Sequence, residues 1–330
     1  MPHVLVAGKI HPAGLQVLNN AAGFTVKVVQ EVSVASYAPF LPEAEALLIR
    51  TQPLTLAEIM TAKKLQVVSR HGVGYDSVDV NALTERNIPL TIVGDVNSLS
   101  VAEHTLSLLL AVAKRVCYFD SSIREGEWNC RNSFSAVEIA NRTLFILGFG
   151  RIGREVGRLA ACFRMKVMAY DPFVTDDVFA QQGVERVHNI HDGLLRADAV
   201  TVHLPLSGDK PIIGREELAI MKKGALLINT ARGGIIDEDA LAEALKNEHL
   251  GGAGLDVLKD EPANLSSALL GQCARLILSP HSAGLTQEAA MRMSVSAATN
   301  IVNFYNGQLD NKLVVNPDIL TINNLMSQTP

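Results

Sequence analysis

The sequence predicts an α/β fold made of two Rossmann-like, parallel-sheet domains with a cleft between them. Three observations carry that prediction. Leu144–Leu147 is a short run too apolar for a half-solvated strand, and it suits the interior of a parallel sheet. Such runs alternate with helical stretches in the repeated order strand, loop, helix, which is how parallel sheets are built. Between Leu147 and a helix expected from Arg151 to Phe163, Gly148, Gly150 and Gly153 spell GxGxxG.

Each glycine answers a different need. Gly148 permits a tight turn, Gly150 lets a phosphate approach the backbone, and Gly153 lets helix and strand pack closely. The free N–H groups that open the following helix face an anion without needing a charged side chain. Val167–Ala169 reads as the next buried strand, and Asp171 closes it where an acid binds the adenine ribose. The carboxylate would accept from both ribose hydroxyls and repel a 2′-phosphate. No Arg or Lys occurs from Asp171 to Gln182 to receive such a phosphate, so NAD is expected in preference to NADP. Asp171 capping a strand, or starting a turn with Pro172, is the plainer alternative.

The remaining elements follow in order. Val4–Ala7, Thr25–Val29, Ala46–Ile49 and Leu65–Ser69 read as strands, with helices at Pro12–Asn20 and Leu54–Ala62. Arg50 and Arg70 follow two of those strands, at the binding edge of an open parallel sheet. A long helix is expected from Asn97–Glu103 to about Phe119, with Ser100 as N-cap and Glu103 as its capping-box partner. Strands are expected at Ala199–Leu206, Leu226–Thr230, Gly254–Val257 and Leu276–Leu278, and helices at Glu216–Met221, Glu238–Lys246 and Thr286–Tyr305. The tail NKLVVNP is expected to return to the first domain. The predicted division is 1–100 with 287–330 as a discontinuous substrate-binding domain, and 101–286 as the nucleotide-binding domain.

Bulk composition narrows the function classes. The chain has 330 residues, 48% hydrophobic and 19% charged, enough for two domains with large cores. A formal net charge of −5 argues against nucleic acid or an anionic membrane as the main partner. Leu106–Val112 is too short to span a bilayer, and MPHVLVAGKI lacks a charged leader and a long apolar core, so a cytoplasmic location is expected. Cys117, Cys130, Cys162 and Cys273 lack metal-ligand spacing and suit reduced, mostly buried thiols. The nine histidines lack HxH or HExxH; His188 with His191 reads as a polar loop pair, and no metal is expected. Trp128 is read as a packing residue.

Three further signals stand at strand ends: NTARGG with Arg232, DVLKDEP with Glu261, and SPHSAG with His281. Taken singly, Arg232 suits a surface turn, Glu261 an exposed loop and His281 a satisfied interior site. Together, at the edge of one nucleotide-binding sheet, they suit redox chemistry on an acid. Arg232 offers a fixed fork of donors to a carboxylate. His281 can exchange a proton with the reacting oxygen, and Glu261 on its other nitrogen would fix the tautomer and favour the protonated ring. A serine nucleophile would instead need a base and an oxyanion site, and no GxSxG appears.

These landmarks, with LLIRT, SRHGVGYDSVD, NSLSVAEHT, LGFGRIG, MAYDP, VHLPLS and GLDVLKDEP, closely resemble the D-isomer-specific 2-hydroxyacid dehydrogenases over nearly the whole chain. The resemblance is strongest to short phosphoglycerate dehydrogenases without a C-terminal regulatory domain. It implies that Arg232, Glu261 and His281 are catalytic. It implies cofactor contacts from Gly148, Gly150, Arg151, Ile152, Gly153, Asp171, His203, Pro205, Thr230, Arg232, Asp256 and His281. It implies substrate contacts from Arg50, Arg70, Gly72, Val73, Gly74, Asn97, Arg232 and His281. A homodimer formed through the NAD-binding domain follows from the same resemblance.

Two departures stand out: Phe145 where a glycine is usual, and Lys210 with Pro211 where a threonine-centred turn is common. Both alter packing or loop shape and leave the motifs intact. Arg50 and Arg70 suit a second anion on the substrate, with solvated strand-end charges as the alternative. Hence 3-phosphoglycerate and 3-phosphohydroxypyruvate are expected first, then hydroxypyruvate with glycerate or sulfolactate, with lactate behind. A reading of a different class is an NAD-sensing interaction protein that keeps the dehydrogenase fold.

Overall fold

The computed structural model describes residues 1–206, 208, 210–264, 266–271 and 275–319; Cys273 lies outside them, and, against the expectation of burial, Cys117 and Cys162 are exposed and Cys130 is half-buried, since they sit on helix and loop surfaces. The chain divides into two compact units, Met1–Asn97 with Thr286–Pro330, and Ser98–Leu285.

The first unit is built on five parallel strands, β1 (His3–Ala7), β2 (Thr25–Val29), β3 (Ala46–Ile49), β4 (Val67–Arg70) and β5 (Leu90–Thr91), in the order β2-β1-β3-β4-β5. Alternate side chains leave a strand on opposite faces. Val4, Val6, Ala46 and Leu48 therefore join a core with Ala289, Met293, Ala297 and Ile301. Leu5, Ala7, Leu47 and Ile49 join another with Tyr37, Leu41 and Leu54. Both faces are covered, which is why these strands carry continuous apolar runs. The helices Pro12–Asn20 and Gln287–Tyr305 approach so closely that a Cβ on Gly14 would lie 2.6 Å from the Ser294 carbonyl oxygen. Past the second helix the chain returns to β5. Val314 bridges Thr91, and the Asn316 side chain accepts from Leu90 N and donates to Ile88 O.

The second unit holds seven parallel strands: β6 (Thr143–Leu147), β7 (Lys166–Tyr170), β8 (Glu185–Arg186), β9 (Ala199–Val202), β10 (Leu226–Asn229), β11 (Gly252–Leu255) and β12 (Leu276–Leu278). Their order, β12-β11-β10-β9-β6-β7-β8, runs outward in both directions from the β6/β9 pair. That is the doubly wound Rossmann arrangement, with its switch point at the carboxyl ends of β6 and β9.

Several elements differ from expectation. The helix expected to run to Phe119 is two helices, Ser98–Lys114 and Val116–Arg124, parted at Arg115 in the left-handed conformation (φ 55°). Ser100 and Glu103 lie inside the first helix, not at its cap. The strand expected to reach Leu206 leaves the sheet after Val202. The helices Val80–Glu85, Asp176–Gln182 and Ile190–Arg196 are too short for periodicity to reveal. Among the described residues no helix is long and apolar enough to cross a membrane.

Phe145 is fully buried, and its ring fills the space beneath Gly193 of the helix Ile190–Arg196. A Cβ on Gly193 would lie 2.2 Å from Phe145 Cζ. The bulk added in the strand is thus matched by bulk absent from the helix. Gly193→Ala should cost roughly 1–3 kcal/mol through overpacking and lower the Tm by a few degrees. Adding Phe145→Leu should recover part of that loss. A Tm for Gly193→Ala equal to that of the parent protein would show that the ring moves aside freely.

Candidate active site

The glycine turn follows β6. Gly148 is left-handed (φ 93°), and a Cβ there would lie 2.6 Å from the His203 carbonyl oxygen, so both conformation and space require glycine. A Cβ on Gly153 would lie 2.1 Å from the Gly148 oxygen, which seats the helix Arg151–Cys162 tightly on the turn. Above Gly150 the space is open: a Cβ would meet nothing within 4 Å, and no side chain caps the helix. An open glycine leading into an uncapped helix start fits a dinucleotide pyrophosphate, with Arg151 and Ile152 as the first residues of the helix.

Asp171 follows β7, beside this turn. Its Oδ2 accepts from Phe149 N and its Oδ1 from Phe173 N, each at 2.9 Å. Two amides therefore fix the carboxylate, and each oxygen keeps a second lone pair for a ribose hydroxyl. Arg186 also approaches this residue, donating to the Asp171 carbonyl oxygen, while its Nη1 lies 2.6 Å from Asp176 Oδ1. Scanning the residues just after Asp171 misses this cation because β8 brings it from further along the chain. Its charge is matched by Asp176.

His203 follows β9. Its Nε2 lies 3.0 Å from Thr201 Oγ1, its Nδ1 is buried without a hydrogen-bond partner, and burial pushes the ring pKa down to about 3. It is therefore a neutral group with one unused nitrogen, and exposed Pro205 lies two residues on.

At the end of β10, Thr230 is buried, and Arg232 is half-buried with Nη1 donating to the Ala231 oxygen. Asn229, which sequence reading did not single out, shapes this turn. Its side chain accepts from Ala231 N at 3.0 Å and donates to the Arg232 oxygen at 2.9 Å. Gly233 then packs against the loop after β11, where a Cβ would lie 1.9 Å from the Leu258 oxygen.

That second loop carries Glu261. Its Oε1 accepts from Leu258 N at 3.1 Å, and its Oε2 lies 2.7 Å from His281 Nδ1. Because an ionised carboxylate only accepts, Nδ1 carries the proton and Nε2 is the nitrogen left for chemistry. The His281 and Glu261 side chains are 51% and 40% exposed, open enough to meet a ligand. His281 is itself left-handed (φ 51°), and its N–H donates to the Asp256 oxygen at 2.7 Å. The Asp256 side chain faces this same loop: Oδ1 accepts from Ser282 N and Oδ2 from Ala283 N, both at 2.9 Å.

In the first unit, Arg50 and Arg70 stand at the carboxyl ends of the neighbouring strands β3 and β4. Arg50 Nη1 donates to the Lys9 oxygen at 2.8 Å, and Arg70 Nη1 to the His71 oxygen at 2.7 Å. His71, passed over in the sequence, is 5% exposed, and its ring pKa is pushed down to about 3, first by burial and then by Arg50 and Arg70. The cationic character of this edge thus comes from the guanidiniums. Gly72 N donates to the Arg70 oxygen, Val73 and Gly74 continue the loop, and Asn97 directly precedes the helix Ser98–Lys114.

Known proteins resemble this arrangement. The profile "D-isomer specific 2-hydroxyacid dehydrogenase, NAD binding domain" matches residues 106–283. A D-3-phosphoglycerate dehydrogenase from Methanocaldococcus jannaschii is 36% identical over 321 residues, covering 97% of this chain and 60% of that protein. An (S)-sulfolactate dehydrogenase from Chromohalobacter salexigens is 42% identical over 258 residues, covering 78% of this chain and 83% of that protein. The crystal structure of D-lactate dehydrogenase from Aquifex aeolicus, complexed with NAD and lactic acid, superposes with a TM-score of 0.85 at 25% identity, covering 95% of this chain and 99% of that one. The chain spans less than two thirds of the length of the phosphoglycerate dehydrogenases that it matches.

Proposed function

The chain belongs to the D-isomer-specific 2-hydroxyacid dehydrogenase family; from that premise we propose that it is an NAD-dependent oxidoreductase interconverting a small D-2-hydroxy acid and its 2-oxo acid. The 2.7 Å contact between His281 Nδ1 and Glu261 Oε2, at the edge of a nucleotide-binding sheet, carries this reading. When bound, the nicotinamide supplies hydride to, or takes it from, C2 of the acid. His281 Nε2 gives a proton to the carbonyl oxygen in reduction and takes one from the hydroxyl in oxidation. Glu261 holds the ring in the tautomer this needs, and Arg232 clamps the carboxylate with a planar pair of donors. Asp171 favours NAD, since its free lone pairs suit two hydroxyls and its charge repels a phosphate.

Arg50 and Arg70 would take a second anion, with Val73 and Gly74 offering backbone contacts to the acid. Phosphate is proposed first, giving 3-phosphoglycerate and 3-phosphohydroxypyruvate. Sulfonate is the second reading, favoured by the long match to the sulfolactate dehydrogenase. A homodimer through the nucleotide-binding unit is also proposed. Val116, Ile123, Trp128 and Phe134, within one segment of that unit, are 53%, 46%, 64% and 89% exposed, apolar side chains of the kind an interface covers.

NADH oxidation across a panel of phosphorylated, sulfonated, hydroxylated and aliphatic 2-oxo acids tests the activity. His281→Ala should lower kcat by roughly 10²- to 10⁴-fold, far more than it lowers the NADH affinity read by fluorescence titration. NADH binding without turnover on any acid would favour the nucleotide-sensing reading, and equal efficiency with NADPH would remove the role given to Asp171.

Arg50→Met and Arg70→Met should each lower kcat/KM about 10- to 100-fold for a doubly anionic acid, the worth of one charge-assisted hydrogen bond. Pyruvate should be affected far less. Equal losses on both acids would rule out the second-anion role.

Light scattering should give twice the chain mass, falling toward one chain mass for Trp128→Glu. A monomer at micromolar concentration in the parent protein would refute the dimer.

A further inference from the structure

His104 stands on the helix Ser98–Lys114, in the landmark AEHT, which has no role in the chemistry above. Its Nε2 lies 2.8 Å from Ser279 Oγ, and Ser279 Oγ lies 2.6 Å from Asp256 Oδ1. The direction of each bond follows from donor supply. A carboxylate only accepts, so the single hydroxyl hydrogen of Ser279 goes to Asp256, and the hydroxyl must then accept from His104. The imidazole thus carries its proton on Nε2 and ends a chain of donors that runs into a carboxylate only 1% exposed.

Asp256 is the hub of the loop that holds His281. Its two oxygens take the amides of Ser282 and Ala283, and its carbonyl takes the amide of His281. The next residue of the same helix does similar work two strands away. Thr105 Oγ1 donates to the Val101 oxygen at 2.8 Å and so accepts from Thr230 Oγ1 at 2.9 Å, at the end of β10. Two consecutive side chains therefore brace the carboxyl ends of β10 and β12.

We propose that His104 is a positioning residue for His281: its Nε2–H fixes Ser279, which orients Asp256, which holds the loop that aims the imidazole. A displacement of about 1 Å at a reacting group can cost about 100-fold in rate, so a loosened loop would be felt in kcat. The kinetic part of this inference rests on the dehydrogenase reading; the structural part does not.

The test compares His104→Phe, which keeps a flat ring and removes the donor, with His104→Gln, which restores an N–H. Hydrogen exchange followed by mass spectrometry reads the loop without reference to turnover. In His104→Phe the amides of Ser282 and Ala283 should exchange at least about 10-fold faster while β6 and β9 stay protected. In the same variant kcat should fall about 10- to 100-fold, with the KM for the 2-oxo acid and the affinity for NADH little changed. His104→Gln should return both readouts to within about 3-fold of the parent protein, since the donor is what matters. Unchanged exchange in His104→Phe overturns the proposal. So does faster exchange with normal kcat, or a His104→Gln variant as impaired as His104→Phe. If His104→Phe does not fold, Ser279→Ala cuts the same bridge from its other end and is judged by the same outcomes. If the parent protein turns over no acid, the dehydrogenase reading fails, and the exchange result alone decides whether His104 anchors the loop.

Discussion

A carboxylate sealed from water must find its donors inside the protein, and at Asp256 that demand organises the carboxyl edge of the second sheet. The amides of Ser282 and Ala283 and the hydroxyl of Ser279 meet it, and all three belong to the loop after β12. Satisfying one buried charge thus fixes the path of that loop. His281 is carried on it in a left-handed conformation that few residues adopt without such support. Glu261 reaches the imidazole from a different loop, whose path is set by the close seat of Gly233 and by Lys259 N donating to Glu238 Oε1 at 2.5 Å. Three loops after three adjacent strands converge because parallel strands deliver all their carboxyl ends to one edge.

Each unit uses the carboxyl edge of its own sheet differently. In the second, glycines and an uncapped helix make an anion site from the backbone, and Asp171 adds a polar acceptor beside it. The first offers side-chain charge at Arg50 and Arg70, with a buried His71 directly after Arg70. His71 Nε2 lies 2.8 Å from Ser294 Oγ, which also accepts from His11 N and donates to the Ala290 oxygen. By the same donor supply, the His71 ring is the donor in that contact. A buried neutral imidazole beside two guanidiniums adds polar structure without a third positive charge.

Phe145 shows how a departure from a family's usual pattern is absorbed. A glycine in a central strand leaves room for a helix side chain, whereas a phenylalanine takes that room and the facing helix carries Gly193 in its place. Volume is conserved across the layer, as close packing requires. The GxGxxG turn on the same strand keeps its geometry because its constraints come from the His203 carbonyl and the Gly153 helix seat, on the far side of Leu147.

What the sequence determined by itself was whatever a short stretch of chain encodes. The apolar runs of β1, β3, β6 and β10, the glycine turn and the acid at the end of β7 are local patterns whose physical demands fall on the residues that carry them. The polar ends of β10, β11 and β12 could likewise be read as one edge, so Arg232, Glu261 and His281 could be grouped. Their spacing could not be read, since the 2.7 Å contact of Glu261 with His281 depends on two loops brought together by the sheet. The same limit hid Arg186 beside Asp171 and the bridge from His104 through Ser279 to Asp256. Only tertiary structure decides these features, because each depends on where distant segments place a donor, an acceptor or a volume.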